Sequence, residues 1–388
     1  MVYFHWIAGG MLALAWFSRI VEAAFGMPKI ADVSQPEWDR QPGAHPRVSI
    51  IVPARNEEAD IEEGLRLLLG LDYDNYEVLA VNDRSTDRTG EIMEQVAVSP
   101  QAHGCLRVLH VSQLPTGWMG KAHAMWVAAG QATGDWILFT DADVWFKPEV
   151  LRRALAYAES ERADHVVVFP RMIMKRPGER MMIAFFQTLF TFGHRPWRVA
   201  DPKTKDHMGV GAFNLVRRTT YDAIGTYRTL RMEVLDDMKL GKVIKNAGFR
   251  QRNVFGEDLI SIHWAKGAMG VVDNLTKNFF AILSFQWWRA VASVFGLLFL
   301  NLGPFIGVWL AQRWERVPYA IALGSMFLIY FGMSFKSSIR PYYFFLHPLS
   351  TLLFGYTLMR SMWLTLRNDG VTWRGTKYPL EELRKGIV

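Results

Sequence analysis

The chain carries one cysteine, Cys105, in 388 residues. That excludes an intramolecular disulfide framework and a cysteine-based zinc cluster, and it fits a reducing compartment. No lysine or arginine precedes the apolar stretch Tyr3 to Ser18. A secretory leader has a basic start and a small-residue cleavage site, so this stretch reads as a membrane anchor, reaching Phe25 if Arg19 and Glu22 lie near an interface. There is no basic helix and no aromatic RNA-binding motif, so the net charge of +7 does not imply a nucleic-acid partner. Excess Lys and Arg in a chain with membrane segments fits cytoplasmic loops and an anionic lipid surface. Internal repeats and low-complexity segments are also lacking.

What is abundant is apolar and aromatic. Half the residues are hydrophobic, with 15 Trp and 25 Phe, and they are unevenly spread. Gly26 to Arg47 is mostly polar, carries four prolines and reads as a linker. Strands and helices then alternate. Val48–Pro53, Glu77–Val81, Leu106–Val111, Trp136–Thr140 and His165–Phe169 read as strands. Glu57–Leu69 shows Ile61, Leu65 and Leu68 at helical spacing. Ser85 or Thr86 is positioned to cap a helix running to about Val96. Lys121–Gln131 and Pro148–Glu159 read as helices, the latter with Pro in its first turn. This alternation predicts a largely parallel sheet with helices on both faces. Arg180–Gly193 is apolar but too short to span a bilayer as a helix, and fits a core or an interfacial helix. His207–Arg218 is a small-residue turn followed by a strand, and Val234–Asn246 reads as a helix.

The character changes near Val271. Asn278–Arg289 is dense in aromatics and fits a helix lying at a membrane interface. Three apolar segments follow, Val291–Ala311, Val317–Phe335 and Tyr342–Phe354, the last extendable to Trp363. The first two have the length of a spanning helix, ~20 residues. Arg313, Arg316, Lys336 and Arg340 sit between them. The tail from Leu364 is polar and includes Trp373-Arg374-Gly375-Thr376-Lys377-Tyr378. An outside N-terminus and one crossing place residues 26–290 in the cytoplasm. Three further crossings place the basic tail outside, against the positive-inside rule. Either one segment is re-entrant or the N-terminal stretch does not cross.

The stretch Trp136-Ile137-Leu138-Phe139-Thr140-Asp141-Ala142-Asp143 organises the middle of the chain. A continuous apolar run suits a strand buried on both faces. It leaves two carboxylates at the C-terminal edge of the sheet, where open α/β sheets bind ligands. Close carboxylates repel unless a cation sits between them. A divalent cation holding a diphosphate is one such partner, and an acidic turn is the plainer alternative. Asp236 and Asp237 open a helix, where acidic side chains also suit the helix dipole.

In order, these motifs resemble a membrane-bound family 2 glycosyltransferase, over about residues 46–290 and weakly into the tail. Within it the chain is most similar to bacterial enzymes associated with carotenoid and hopanoid lipids, with kinship to ceramide glucosyltransferases. The resemblance implies a nucleotide-sugar-binding α/β domain of the GT-A type over 46–270, after an anchor (1–25) and a linker (26–45). An interfacial helix (271–290), transmembrane helices (291–363) and a polar tail (364–388) would follow. It implies that Pro53, Ala54, Arg55 and Glu57 contact the nucleotide, that Asp83 accepts a uracil N–H, and that Lys121 reaches the diphosphate or sugar. Asp141 and Asp143 would hold Mg²⁺ or Mn²⁺. Asp237 would be the catalytic base, with Asp236 where the family usually has Glu. Gln286-Trp287-Trp288-Arg289 resembles a Gln-x-x-Arg-Trp motif, with Ala290 in place of its last Trp. Arg289 would contact the diphosphate, and Gln286 and Trp288 the acceptor, with His263 at the acceptor mouth.

The reading that follows is an inverting transfer of a sugar from a UDP-sugar to a hydroxyl of a membrane lipid. The catalytic domain would face the cytoplasm, on the inner cell membrane. A processive polysaccharide synthase shares the motifs but needs more spanning segments for a channel. The Gln-x-x-Arg segment argues against a polyprenyl-phosphate sugar transferase. A catalytically silent membrane scaffold is the alternative from another class. Oligomeric state is not read from the sequence.

Overall fold

A computed structural model describes residues 2–102, 104–335 and 337–387; Lys336, one of the basic residues between the apolar segments, lies outside them. The chain divides into two compact units. One comprises Met1–Lys29, Met174–Trp197 and Trp264–Val371, the other Ile30–Ile173, Arg198–His263 and Thr372–Val388.

The second unit is built on strands β1 (Val48–Ala54), β2 (Tyr76–Asp83), β3 (Leu106–Val111), β4 (Trp136–Phe139), β5 (Val144–Phe146), β6 (His165–Phe169), β7 (Arg171–Met172), β8 (Asn214–Arg217), β9 (Gln251–Phe255) and β10 (Ile260–Ile262). Seven of them form one sheet in the order β3-β2-β1-β4-β8-β6-β9, and β5-β10-β7 form a second. The β1–β2, β2–β3, β1–β4 and β6–β9 pairs are parallel. β8 runs antiparallel to both its neighbours. The sheet is therefore largely parallel, as the strand–helix alternation predicts, with one reversed strand that the small-residue turn before it makes possible.

β1 is buried along almost its whole length because it lies between β2 and β4 with both faces covered. Pro53 is tolerated there for a positional reason. β4 ends opposite Ile51, so Pro53 has no β4 neighbour to which its missing N–H would have bonded. The chain steps outward from β1 to β2 to β3 and then returns to the other side of β1 with β4. That reversal puts a topological switch point between the C-terminal ends of β1 and β4, where a crevice opens.

Some local readings change. The helix expected from Glu57 begins at Ile61, because the Glu57 N–H donates to Oγ1 of Thr89 (2.8 Å), the first residue of the helix that follows β2. Ser85 and Thr86 do not cap the following helix, Thr89–Ala97. Ser85 Oγ accepts the Asn56 N–H at 3.1 Å and the Thr86 N–H donates to Asn56 Oδ1 at 2.8 Å, so the two loops are tied together. Asp87 instead accepts the Thr89 N–H (3.0 Å). The expected linker is docked: Val33 is buried, its N–H reaches the Phe255 carbonyl at 2.9 Å, and Arg153 Nη1 donates to the carbonyls of Val33, Ser34 and Gln35.

In the helical unit, three helices are long and apolar enough to cross a membrane among the described residues: Tyr3–Lys29, Trp287–Leu310 and Arg313–Met333. The third apolar segment expected after Val291 is not one of them. It folds as a 3-10 turn, Pro341–Leu346, and the helix His347–Arg367, whose buried face carries Ser350, Thr351, Thr357 and Ser361. His347 bridges Tyr330 Oη (2.9 Å) and Asn301 Oδ1 (3.0 Å), so buried polar groups on three helices satisfy one another. Trp16 Nε1 donates to the Leu300 carbonyl at 2.9 Å. The continuous interfacial helix expected up to Arg289 is broken. A helix Gly267–Ile282 ends, Ser284 and Phe285 adopt φ of 56° and 55°, and a new helix starts at Trp287. Phe285 is buried edge-to-face against Phe280, and its N–H returns to the Phe280 carbonyl, which holds the bend.

Candidate active site

Phe139 anchors the end of β4 against the rings of Tyr221 and Tyr227. The backbone then leaves the sheet. The Thr140 N–H still reaches the Ile51 carbonyl (3.1 Å), but the Asp141 N–H turns to the Gly211 carbonyl (3.0 Å). Gly211 works in both directions, since its own N–H donates to Asp237 Oδ2 at 2.8 Å. One glycine thus fixes the spacing between the carboxylate after β4 and the carboxylate at the start of the helix Asp236–Asn246. A Cβ at Gly211 would overlap the Asp141 carboxylate. From the sequence this loop reads only as a small-residue turn. The glycines flanking Val210, just ahead of a strand, were the available signal for a close backbone approach.

Lys121, in the first turn of the helix Gly120–Gln131, lies among these carboxylates. Its Nζ is 2.5 Å from Asp141 Oδ1 and 4.0 Å from Asp236 Oδ2. Burial works against its charge, but Asp141, Asp236 and Asp237 outweigh that and push its pKa up. Asp236 is buried and accepts from Tyr227 Oη at 3.4 Å. Asp237 Oδ1 takes the Met238 N–H at 2.7 Å. Burial raises the Asp237 pKa, opposed by Lys121 and by the backbone N–H donors. Asp143 rises to about 6, through burial first and then the negative charge of Asp141 and Glu57. Burial also raises Glu57, although Arg374 opposes the shift. Burial is the first cause of all three raised values, and the negative charge of Asp141 adds to each, a surplus that Lys121 offsets only in part at Asp143 and Asp237.

That surplus bears on a metal. Asp141 and Asp143 supply hard oxygen donors, which suit Mg²⁺ or Mn²⁺. Among the described residues no three His, Cys, Asp or Glu side chains converge as a complete metal cage. A Mg²⁺-like ion commonly takes only one or two protein carboxylates and completes its shell with substrate phosphates and water. The donor set and the charge surplus fit such an ion.

The remaining expected residues fall as follows. Pro53 and Ala54 end β1 at the crevice. Arg55 Nη1 donates to Thr376 Oγ1 at 2.8 Å. Asp83 ends β2 and both its oxygens are engaged by Arg84, at 2.7 and 3.0 Å, with Arg84 at φ 55°. A carboxylate has further lone pairs for a base N–H, but Arg84 is the partner it has here. His263 follows β10 directly and is half-buried. Gln286, Trp288 and Arg289 belong to the helical unit. Gln286 precedes the first turn of the helix Trp287–Leu310, Trp287 and Trp288 are exposed, and Arg289 lies 5.3 Å over the Trp288 ring.

Residues 49–238 match the family model described as Glycosyl transferase family 2. A 4,4'-diaponeurosporenoate glycosyltransferase of Staphylococcus aureus (strain MRSA252) is 22% identical over 349 residues, covering 87% of this chain and 90% of the relative. The enzyme of the same name from Staphylococcus haemolyticus (strain JCSC1435) is 22% identical over 236 residues, 60% of each chain. Among solved structures, a Pyrobaculum calidifontis mannosyltransferase in complex with GDP-Man and Mn²⁺ superposes with a TM-score of 0.54. The match covers 94% of this chain and 99% of that one at 19% identity, a likeness of fold.

Proposed function

Because residues 49–238 form a family 2 glycosyltransferase domain, we propose that the chain transfers a sugar, with inversion, from a UDP-sugar to a hydroxyl of a membrane lipid. The observation that carries the reading is the convergence of Lys121, Asp141, Asp236 and Asp237 at the sheet's switch point. Asp237 accepts the proton of the acceptor hydroxyl as the new bond to the anomeric carbon forms and the bond to the diphosphate oxygen breaks. Burial raises its pKa, which makes it a stronger base than an exposed carboxylate. Asp236 holds Tyr227 and Lys121 in place, and Lys121 carries positive charge toward the leaving group. Mg²⁺ or Mn²⁺ held by Asp141 and Asp143 would supply Lewis-acid neutralisation of the departing diphosphate. Arg289 is assigned to the diphosphate, and Gln286, Trp288 and His263 to the acceptor.

A lipid acceptor is supported by the apolar helices and by relatives named for a carotenoid. The tail supports a topology with the catalytic unit in the cytoplasm. Residues 372–388 belong to the same compact unit as the strands, so the chain crosses an even number of times between residues 263 and 372. Among the described residues two candidate spans lie in that interval. One crossing by the N-terminal helix then puts the catalytic unit and the basic tail together in the cytoplasm, which removes the conflict with the positive-inside rule.

The test is nucleoside-diphosphate release by detergent-purified protein over a panel of nucleotide sugars, with Mg²⁺ or Mn²⁺, with and without a lipid extract of the source cells. The expected result is lipid-stimulated UDP release from one sugar. Asp237→Asn should lower it by about 10³-fold while UDP binding persists. Folded wild-type protein that releases no nucleotide from any donor would sink the proposal.

A further inference from the structure

The polar tail was a motif without a role in the sequence, and its hairpin, β11 (Gly370–Trp373) and β12 (Thr376–Pro379), reaches the donor loops. After β1, Arg374 donates through Nη1 to the Arg55 carbonyl and through Nη2 to Glu57, while Thr376 Oγ1 accepts from Arg55 Nη1 at 2.8 Å. After β2, the Tyr378 hydroxyl lies close enough to Arg84, the residue that clamps Asp83, to help raise its pKa. Ahead of Lys121, the same hydroxyl accepts the Gly120 N–H at 3.1 Å. Tyr378 is 5% exposed, and a Cβ at Gly120 would overlap Asp83 and Arg84, so these groups are closely packed.

We propose that Arg374, Thr376 and Tyr378 are part of the nucleoside-diphosphate site, resting on the glycosyltransferase reading above. Each hairpin contact lands on a loop at the C-terminal edge of the sheet. The chemistry on this wall matches such a ligand. The guanidinium groups of Arg55, Arg84 and Arg374 provide charge for phosphates and flat faces for a base. Glu57 and Asp83 are acceptors for ring N–H and ribose hydroxyl donors. Arg374 touches the ligand beside Glu57. Thr376 and Tyr378 act as positioning residues, through Arg55 and through the Gly120 backbone that leads into Lys121.

The experiment is titration of the detergent-solubilised full chain with UDP and, separately, GDP, in the presence of Mn²⁺, together with donor steady-state kinetics. Arg374→Ala and Tyr378→Phe should each weaken nucleotide binding about tenfold and raise the donor KM, with kcat within about twofold. Arg374→Lys should recover part of the affinity by keeping the charge. Thr376→Val, a near-isosteric change on the half-buried hairpin, should weaken binding about threefold without loss of folded protein. Variants whose nucleotide affinity and donor KM stay within twofold of wild type, even with a lowered melting temperature, would make the hairpin a structural brace only and overturn the inference while leaving the glycosyltransferase reading intact. Wild-type protein that binds neither nucleotide would overturn both.

Discussion

Replacing Lys121 by methionine keeps most of the side-chain volume and removes a cation placed among Asp141, Asp236 and Asp237. The Nζ lies 2.5 Å from Asp141 and 4.0 Å from Asp236, and the lysine side chain is 17% exposed. A unit charge at 4 Å in an effective dielectric of ~20 is worth about 4 kcal/mol. Solvent screening and relaxation cut that to about 1–2 kcal/mol. Lys121 lowers the Asp237 pKa, so its loss lets Asp237 keep its proton to higher pH. The acid limb of the kcat/KM profile should therefore move up, and NDP release should fall ~100-fold as charge stabilisation of the leaving group is lost. The same change uncovers Asp141, so Mn²⁺ binding, read by calorimetry or by the spin resonance of the free ion, should tighten about tenfold. Falling turnover with rising metal affinity is a signature that misfolding does not produce. An unmoved acid limb together with unchanged or weaker Mn²⁺ binding would refute the electrostatic argument.

Three other outcomes are expected. Exhaustive chelation should abolish NDP release, with recovery on adding Mg²⁺ or Mn²⁺, and activity that survives chelation would remove the metal role of Asp141 and Asp143. Gly211→Ala puts a methyl group into the Asp141 carboxylate; it should cost about 1–3 kcal/mol of stability and reduce turnover on the order of 100-fold through misplacement, and near wild-type activity would contradict the loop's spacing role. His165 is fully buried between Asn214 and Gln251, and burial lowers its pKa from 6.5 to about 4. The unfolded chain then binds the extra proton first, so its contribution is complete above pH 6.5 and is lost as pH falls through about 4. The lost stability is roughly 3 kcal/mol, so His165→Gln should flatten the acid dependence of the melting temperature between those limits, and an identical slope in the two proteins would reject the assignment.

The order of strands and helices, the carboxylate pairs and the apolar spans were legible because each depends on local pattern. Trp136–Phe139 is apolar on both faces because its strand is covered on both faces, and Asp141 and Asp143 follow because the strand must end. Ile61, Leu65 and Leu68 reveal a helix because its buried side recurs every three to four residues. Other features rest on contacts between residues far apart in the chain, and no periodicity records those. Ser85 and Thr86 look like caps until the loop carrying Asn56 supplies different partners. The segment Tyr342–Phe354 looks like a span until its helix is seen to continue into Ser, Thr and Arg positions. By itself the sequence determined the family resemblance, the α/β alternation and which residue types carry the chemistry. Only the tertiary structure decided that Gly211 sets the distance between Asp141 and Asp237, that Lys121 stands among their charges, and that Arg374 and Tyr378 return from the tail to Glu57 and Gly120. The physical reason is that burial and composition are written along the chain, whereas electrostatic neighbours and backbone close approaches exist only once distant segments have packed.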